Sequence, residues 1–182
     1  KSNSLDRSLW LKGIYENGIV SFLEKIFPHI ENFWDVGAHI GYHSLLAETL
    51  MPPQGKIISF EPHPVLFNKL NTNITLNKAR KITAVPIALS DQAETKLLYD
   101  QGKNIQPAPS LVPDLYGSSG ATAVLKTPHQ ILKEFNLKIP ELVKIDVEGY
   151  EGVILKGFAD FLKNSSQAPV IIFELCRPFL AK

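Results

Sequence analysis

The chain has 182 residues, of which 45% are hydrophobic, so it is long enough for one packed domain and too short for two full ones. Its 19 Lys and Arg residues balance 18 Asp and Glu residues, and a net charge of +1 excludes a long-range field that would attract nucleic acid or an anionic membrane. No apolar run approaches the roughly 20 residues that cross a bilayer. The single cysteine, Cys176, excludes an internal disulfide framework and suits a reducing compartment. We therefore expect a cytoplasmic protein whose partners are neither nucleic acids nor membranes.

Residues 1–31 form a predicted helical lead-in. Apolar side chains recur there at helical spacing, and Gly13 and Gly18 interrupt the pattern. We therefore expect two short helices ahead of the main domain.

From residue 32 to residue 182 the pattern predicts one α/β domain. Short apolar runs alternate with helical segments, which is typical of a mainly parallel sheet with helices on both faces. The predicted strands span 33–36, 56–60, 82–89, 142–147 and 170–175. The predicted helices between them span 41–50, 64–77 and 151–163.

Residues 100–120 break this alternation. Six Gly and Pro residues in that stretch predict a long irregular loop, and such loops inside a compact domain are usually functional or disordered. After it, Thr127, Pro128 and Gln130 have the spacing of a helix start, with Thr127 as the cap and Gln130 reaching back to the cap amide.

The stretch DVGAHIG, residues 35–41, predicts a ligand-binding turn after the first strand. Gly37 and Gly41 frame a wider loop than the three-glycine dinucleotide turn, G-x-G-x-x-G, which occurs nowhere in the sequence. The P-loop pattern is also missing, because Gly152 and Gly157 are not followed by Lys and Ser or Thr. A phosphate-binding loop is therefore the weaker interpretation.

Glu61 ends the second predicted strand, where an acidic side chain can accept both hydroxyls of an adenosine ribose. The carboxylates of Asp35 and Glu61 would then face a ligand that carries a ribose and positive charge. S-adenosylmethionine has both, since its sulfonium and amino group are cationic.

Five motifs in this order resemble the FkbM family of S-adenosylmethionine-dependent methyltransferases: FWDVGAHIGYHS, ISFEPHP, VPIALSD, VKIDVEGYEGVILKGF and VIIFEL. The resemblance covers residues 32–175 and implies a Rossmann-like class I methyltransferase fold, with S-adenosyl-L-methionine as cofactor. That fold normally adds two strands after the fifth, for which this sequence has no further residues, and the family usually has Asn where His39 stands. The residues that the resemblance assigns to the cofactor are Asp35, Gly37, Ala38, His39, Gly41, Glu61, Pro62, Ala88, Leu89 and Ser90.

Family members are mostly O-methyltransferases, so the resemblance implies transfer of a methyl group to a hydroxyl of a small molecule, a natural product or a glycan. The catalytic candidates are acids beyond the fourth strand, Asp146 first and Glu148 second, together with His43 as a base that reaches into the cleft. Lys144 lies inside that strand, where a lysine is costly to bury unless it pairs with a neighbouring acid. We expect no metal at His39 and His43, because Gly41 interrupts the turn between them.

Two alternatives stay open at this point. A nicotinamide-dependent oxidoreductase could use a similar sheet, although the third glycine of its fingerprint is missing. A domain that binds a nucleoside without turnover would keep the same fold, and only the acids at the strand ends argue against it.

Overall fold

The computed structural model describes residues 15–100, 109–113, 118–163 and 165–174. Its centre is a five-stranded parallel sheet with the order β3-β2-β1-β7-β8. The strands of this sheet are β1 (Asn32–Val36), β2 (Lys56–Phe60), β3 (Ile82–Val85), β7 (Leu142–Ile145) and β8 (Val170–Phe173). Because all five strands are parallel, their carboxyl ends meet at one edge of the sheet, where ligands bind in folds of this kind.

Helices cover both faces of this sheet, as the sequence predicts. The helices are α1 (Asn17–Ile26), a 3-10 turn (Phe27–His29), α2 (Tyr42–Leu50), α3 (Pro64–Leu76), α4 (Pro128–Glu134) and α5 (Glu151–Leu162). Thr127 caps α4 in the predicted reciprocal arrangement with Gln130. Within the lead-in, α1 lies where the second of the two expected helices was placed, while residues 1–14 lie outside the described residues. None of the helices within the described ranges is long and apolar enough to cross a membrane.

Strand alternation divides the core between the two faces. Phe33 of β1 packs in a cluster with Leu23 of α1 and Ala47 of α2. Trp34, the next residue, packs in the other cluster with Ile154 and Phe158, both from α5. Successive side chains of a strand point to opposite faces, so each position in β1 is assigned to one helical layer.

A second, three-stranded sheet with the order β4-β6-β5 adds to the layer that holds α5. Its strands are β4 (Ala88–Leu89), β5 (Glu94–Asp100) and β6 (Ser118–Lys126). The prediction of one strand over 82–89 is wrong, because that run divides into β3 and β4, which belong to different sheets. Of the predicted loop over 100–120, residues 101–108 and 114–117 lie outside the described residues, and residues 118–120 belong to β6, which begins at Ser118.

Candidate active site

A cavity of about 220 Å³ lies at the carboxyl ends of β1, β2 and β7. Most residues that the sequence assigned to a site line this cavity. From the predicted cofactor set these are Gly37, Ala38, His39, Glu61, Pro62, Ala88 and Leu89, and from the catalytic set His43, Asp146 and Glu148. Residues distant in sequence therefore converge on one place.

The structure corrects the expectation that the carboxylate of Asp35 faces a ligand. Asp35 is 1% exposed, does not line the cavity and accepts a hydrogen bond of 2.6 Å from the Ser44 hydroxyl. The reason is strand alternation, which directs this side chain to the face covered by α2. Burial, only partly offset by the charge of Lys144, raises the pKa of Asp35 above its usual range. Asp35 thus anchors the start of the loop to α2.

Two more of the predicted residues do not line the cavity, Gly41 and Ser90. Ser90 is fully buried, and its hydroxyl lies 3.2 Å from that of Tyr150. Gly41 precedes α2 with a φ of +90°, and a Cβ there would lie 2.5 Å from Cδ1 of Leu70. Both residues support the cavity from behind its wall.

Gly37 is required by a close approach of two strand ends. A Cβ at this residue would lie 1.9 Å from the carbonyl oxygen of Asp146, and φ is +80°, a region that favours glycine. The amides of Gly37 and Ala38 both donate to the carbonyl of Phe60. The loop after β1 is therefore fixed between the ends of β2 and β7.

Glu61 is held by backbone amides on the cavity wall. Its Oε2 accepts a hydrogen bond of 2.9 Å from the His39 amide, and its Oε1 accepts one of 2.8 Å from the His63 amide. The residue is 5% exposed, and this burial raises the pKa of Glu61 from 4.5 to about 8, despite the two amides, which lower it. Its carboxyl group is thus positioned, and it is protonated around neutral pH while no ligand is bound.

Apolar residues form the wall next to Glu61, and the sequence analysis missed several of them. Ile87, Leu98 of β5 and Ile154 of α5 line this side together with Pro109 and Leu111. Pro109 and Leu111 belong to the predicted irregular loop over 100–120, for which the sequence analysis named no site residue. Their order comes from tertiary contacts that no local pattern shows.

Ser110 fixes this segment to the turn after β7. Its hydroxyl donates to the carbonyl of Glu148 at 2.7 Å, and its backbone pairs with Tyr99 of β5 through two hydrogen bonds. Glu148 itself has a φ of +53°. Glu151 stabilises the same turn, since its carboxylate accepts hydrogen bonds of 3.1 Å from the amides of Val147 and Gly149.

The opposite end of the cavity is polar and centres on Lys144. The predicted ion pair is confirmed, because the ammonium nitrogen of Lys144 lies 2.9 Å from Oδ2 of Asp146. Burial alone would raise the pKa of Asp146, but the charge and hydrogen bond of Lys144 outweigh it and lower that pKa. Asp146 is therefore ionised at neutral pH.

His43 lies at the same end as a neutral imidazole. Burial, followed by the charge of Lys144, lowers the pKa of His43 to about 3. Its Nε2 lies 3.4 Å from Oε2 of Glu16, and no described residue gives this nitrogen a hydrogen bond. Burial and nearby carboxylates also raise the pKa of Glu16, and for the same reasons they raise that of Glu174 to about 7.

A second cavity adjoins the first at Lys144 and Asp146, which line both. It is bounded by the start of α1 and by the ends of β7 and β8, and Ile19, Ile172 and Glu174 contribute to its wall. Two cavities that meet at one ion pair could hold two reactants next to each other.

Comparison with known proteins identifies the family. The family model of the methyltransferase FkbM domain matches residues 35–180. The chain belongs to the FkbM methyltransferase family. This match confirms the resemblance seen in the sequence motifs.

Two curated relatives agree with this assignment. Methyltransferase sdnD from Sordaria araneosa is 33% identical in an alignment 153 positions long, which covers 68% of this chain and 58% of that protein. Hexuronic acid methyltransferase AglP from Haloferax volcanii is 24% identical in an alignment 152 positions long, which covers 82% of this chain and 59% of that protein. The chain thus spans less than two thirds of the length of these curated relatives.

Solved structures show the same fold. The FkbM methyltransferase from Methylobacillus flagellatus matches 79% of this chain and 32% of its own chain, with a TM-score of 0.55 at 17% identity. A putative caffeoyl-CoA O-methyltransferase from Staphylococcus aureus matches 95% of this chain and 66% of its own, with a TM-score of 0.56 at 9% identity. The class I methyltransferase fold predicted from the sequence is therefore confirmed.

Proposed function

We propose that this chain binds S-adenosyl-L-methionine in the first cavity and transfers its methyl group to a hydroxyl of a small molecule, natural product or glycan. The observation that carries the proposal is the carboxyl group of Glu61, which two backbone amides hold at the end of β2 on the cavity wall. A carboxylate in this place accepts both ribose hydroxyls of an adenine nucleoside.

The other walls of the cavity fit the same ligand. Leu89, Leu98 and Leu111 offer an apolar surface for an adenine ring beside Glu61. Gly37 and Ala38 line the same cavity, where their backbone would meet the methionine part. When bound, the cofactor supplies a methyl carbon that its sulfonium already activates.

The residues of the chain then position the acceptor. The ionised carboxylate of Asp146 can accept a hydrogen bond from the acceptor hydroxyl and align its oxygen behind the methyl group. Its lowered pKa suits it better for orientation than for proton removal. Glu148 lines the cavity and is the second candidate for the proton, and the neutral imidazole of His43 is the third.

A sugar-like acceptor is supported by one relative, whose name states that it methylates a hexuronic acid. The near-neutral chain has no charge excess that favours nucleic acid as acceptor. We also propose a cytoplasmic location, which the single cysteine supports.

Calorimetry with S-adenosylhomocysteine and with NAD tests the cofactor. We expect saturable binding of S-adenosylhomocysteine at one site per chain and no binding of NAD, because the loop after β1 lacks the pyrophosphate-binding glycines. Binding of NAD alone would overturn the proposal and favour an oxidoreductase. Binding of both would favour a nucleoside-binding domain without the proposed selectivity.

A further inference from the structure

We propose that Glu16, Asp146 and Glu174, here called the acidic cluster, bind one divalent cation of the Mg²⁺ or Mn²⁺ type together with the imidazole of His43. The three acids come from different parts of the fold: Glu16 precedes α1, Asp146 follows β7 and Glu174 follows β8. All three line the second cavity, which gives an ion a path to them.

The spacing of the acidic cluster suits a common ion. One carboxylate oxygen from each acid lies within 4.8 Å of the others. Ligand atoms at roughly 2.1 Å from an ion are about 3 Å apart when adjacent and about 4.2 Å apart when opposite. Side-chain rotations that move each carboxylate oxygen by up to about 1 Å would therefore bring all three oxygens within coordination distance of one ion.

His43 is the independent observation that points to a ligand. Its side chain is 7% exposed, and its Nε2 receives no hydrogen bond from any described residue. A buried polar atom normally has a partner, so a nitrogen without one implies a missing ligand. The 3.4 Å between this nitrogen and Oε2 of Glu16 is long for a strong hydrogen bond and ordinary for two ligand atoms of one ion.

Charge balance also favours a cation. The ammonium group of Lys144 interacts with three acids, Asp35, Asp146 and Glu16, and Glu174 adds a fourth carboxyl group beside Asp146. Lys144 bonds Oδ2 of Asp146, which leaves the other carboxylate oxygen of Asp146 to the cluster. Three carboxylates with one imidazole form an oxygen-rich set, which suits Mg²⁺ or Mn²⁺ better than a thiophilic metal.

The role of the ion rests on the proposed function. Asp146 lines both cavities, so an ion bound to it would lie between the methyl donor and the acceptor. There it would hold the acceptor oxygen and favour the loss of its proton, which is how divalent ions assist attack by hydroxyl groups. The oxygen then forms a bond to the methyl carbon, the carbon–sulfur bond breaks with its electron pair left on sulfur, and a nearby carboxylate takes the proton.

Titration of the whole chain with MnCl₂, followed by electron paramagnetic resonance of the free ion, tests the site. We expect one Mn²⁺ per chain and competition by MgCl₂. The Glu174→Gln variant should weaken binding about 10- to 100-fold, and since Glu174 is exposed the change should leave the fold intact. Asp160→Asn is the matched control, because Asp160 is an exposed acid of α5 that pairs only with Lys163 among the ion pairs of the described residues.

Lack of saturable Mn²⁺ binding by the wild-type chain would overturn the proposal. Equal Mn²⁺ affinity in Glu174→Gln and wild type would also overturn it. The same holds if Mn²⁺ broadens other NMR signals of the protein but leaves those of the His43 ring unchanged. Binding of S-adenosylhomocysteine is measured separately. If the chain binds the nucleoside but no Mn²⁺, only the metal site is refuted. If it binds Mn²⁺ but not the nucleoside, the proposed function is refuted.

Discussion

Two carboxyl groups on the cavity wall, Glu61 and Asp146, occupy equivalent places in the fold. Each follows a strand that neighbours β1, one on either side. Glu61 is held by the neutral amides of His39 and His63, whereas Asp146 is held by the ammonium of Lys144. The same chemical group thus has neutral dipoles as partners at one end of the cavity and a full charge at the other.

This difference in partners separates the pKa values of the two groups. Burial outweighs the amides and raises the pKa of Glu61 to about 8. Lys144 outweighs burial and lowers the pKa of Asp146. Glu61 therefore changes its charge near neutral pH and in response to a ligand, while Asp146 keeps its negative charge.

The largest expected effect is on stability, and it comes from the ion pair of Lys144 with Asp146 at the polar end of the cavity. Lys144→Met should lower the free energy of unfolding by about 3–5 kcal/mol, because it leaves the buried carboxylates of Asp35 and Asp146 without their counter-ion. Urea unfolding measures this change, and Lys163→Met, an exposed lysine of the α5 end, is the control. A loss below about 1 kcal/mol would show that the pair behaves like a surface salt bridge.

The next effect concerns the ribose end. Glu61→Gln should weaken binding of S-adenosylhomocysteine about 10- to 100-fold, since hydrogen bonds to a charged group contribute roughly 1.5–3 kcal/mol. Calorimetry gives the affinity, and Glu24→Gln, an exposed acid of α1, should bind as wild type does. Unchanged affinity in Glu61→Gln would place the ribose elsewhere.

The pH dependence of donor binding should distinguish the two ends. Ribose hydroxyls favour ionised Glu61, so the dissociation constant of S-adenosylhomocysteine should fall as pH rises from 6 to 8, by up to about tenfold per unit. The pKa of Glu61 is raised on folding, so the stability contributed by its bound proton is fully present below pH 4.5 and is lost as pH rises through about 8. A Glu61→Gln chain that keeps the same pH slope would contradict this assignment.

The smallest expected effect concerns Ser110, whose hydroxyl fixes residues 109–113 to the turn after β7. Ser110→Ala removes the hydrogen bond to the Glu148 carbonyl. The next residue, Leu111, belongs to the cavity wall that we propose contacts the nucleobase. A typical hydrogen bond contributes about 1 kcal/mol, so donor affinity should fall about fivefold. Ser110→Thr keeps the hydroxyl and should restore part of the loss; equal loss in both variants would point to packing alone.

Local patterns predicted the parts of this fold that local physics determines. Apolar runs located the five strands of the large sheet, although the run over 82–89 also contained β4 of the small sheet. The reciprocal cap at Thr127 follows from spacing alone. The pairing of Lys144 with Asp146 was also predictable, because a lysine inside a buried strand requires an acid nearby.

Features that depend on tertiary structure were not predicted. Residues 118–120 belonged to the predicted loop, but pairing with β5 makes them the start of β6. The sequence placed Asp35 at the ligand, because it did not show which helical layer each side chain of β1 would meet. Leu111 reached the cavity through contacts made by Ser110, which no periodic pattern shows.

The central claim is that a nucleoside lies in the first cavity with its ribose on Glu61. A crystal structure of the chain with S-adenosylhomocysteine tests it most directly. We expect both ribose hydroxyls within hydrogen-bond distance of the Glu61 carboxylate and the sulfur next to Asp146. Density for the nucleoside outside this cavity, or a ribose that does not contact Glu61, would contradict the account.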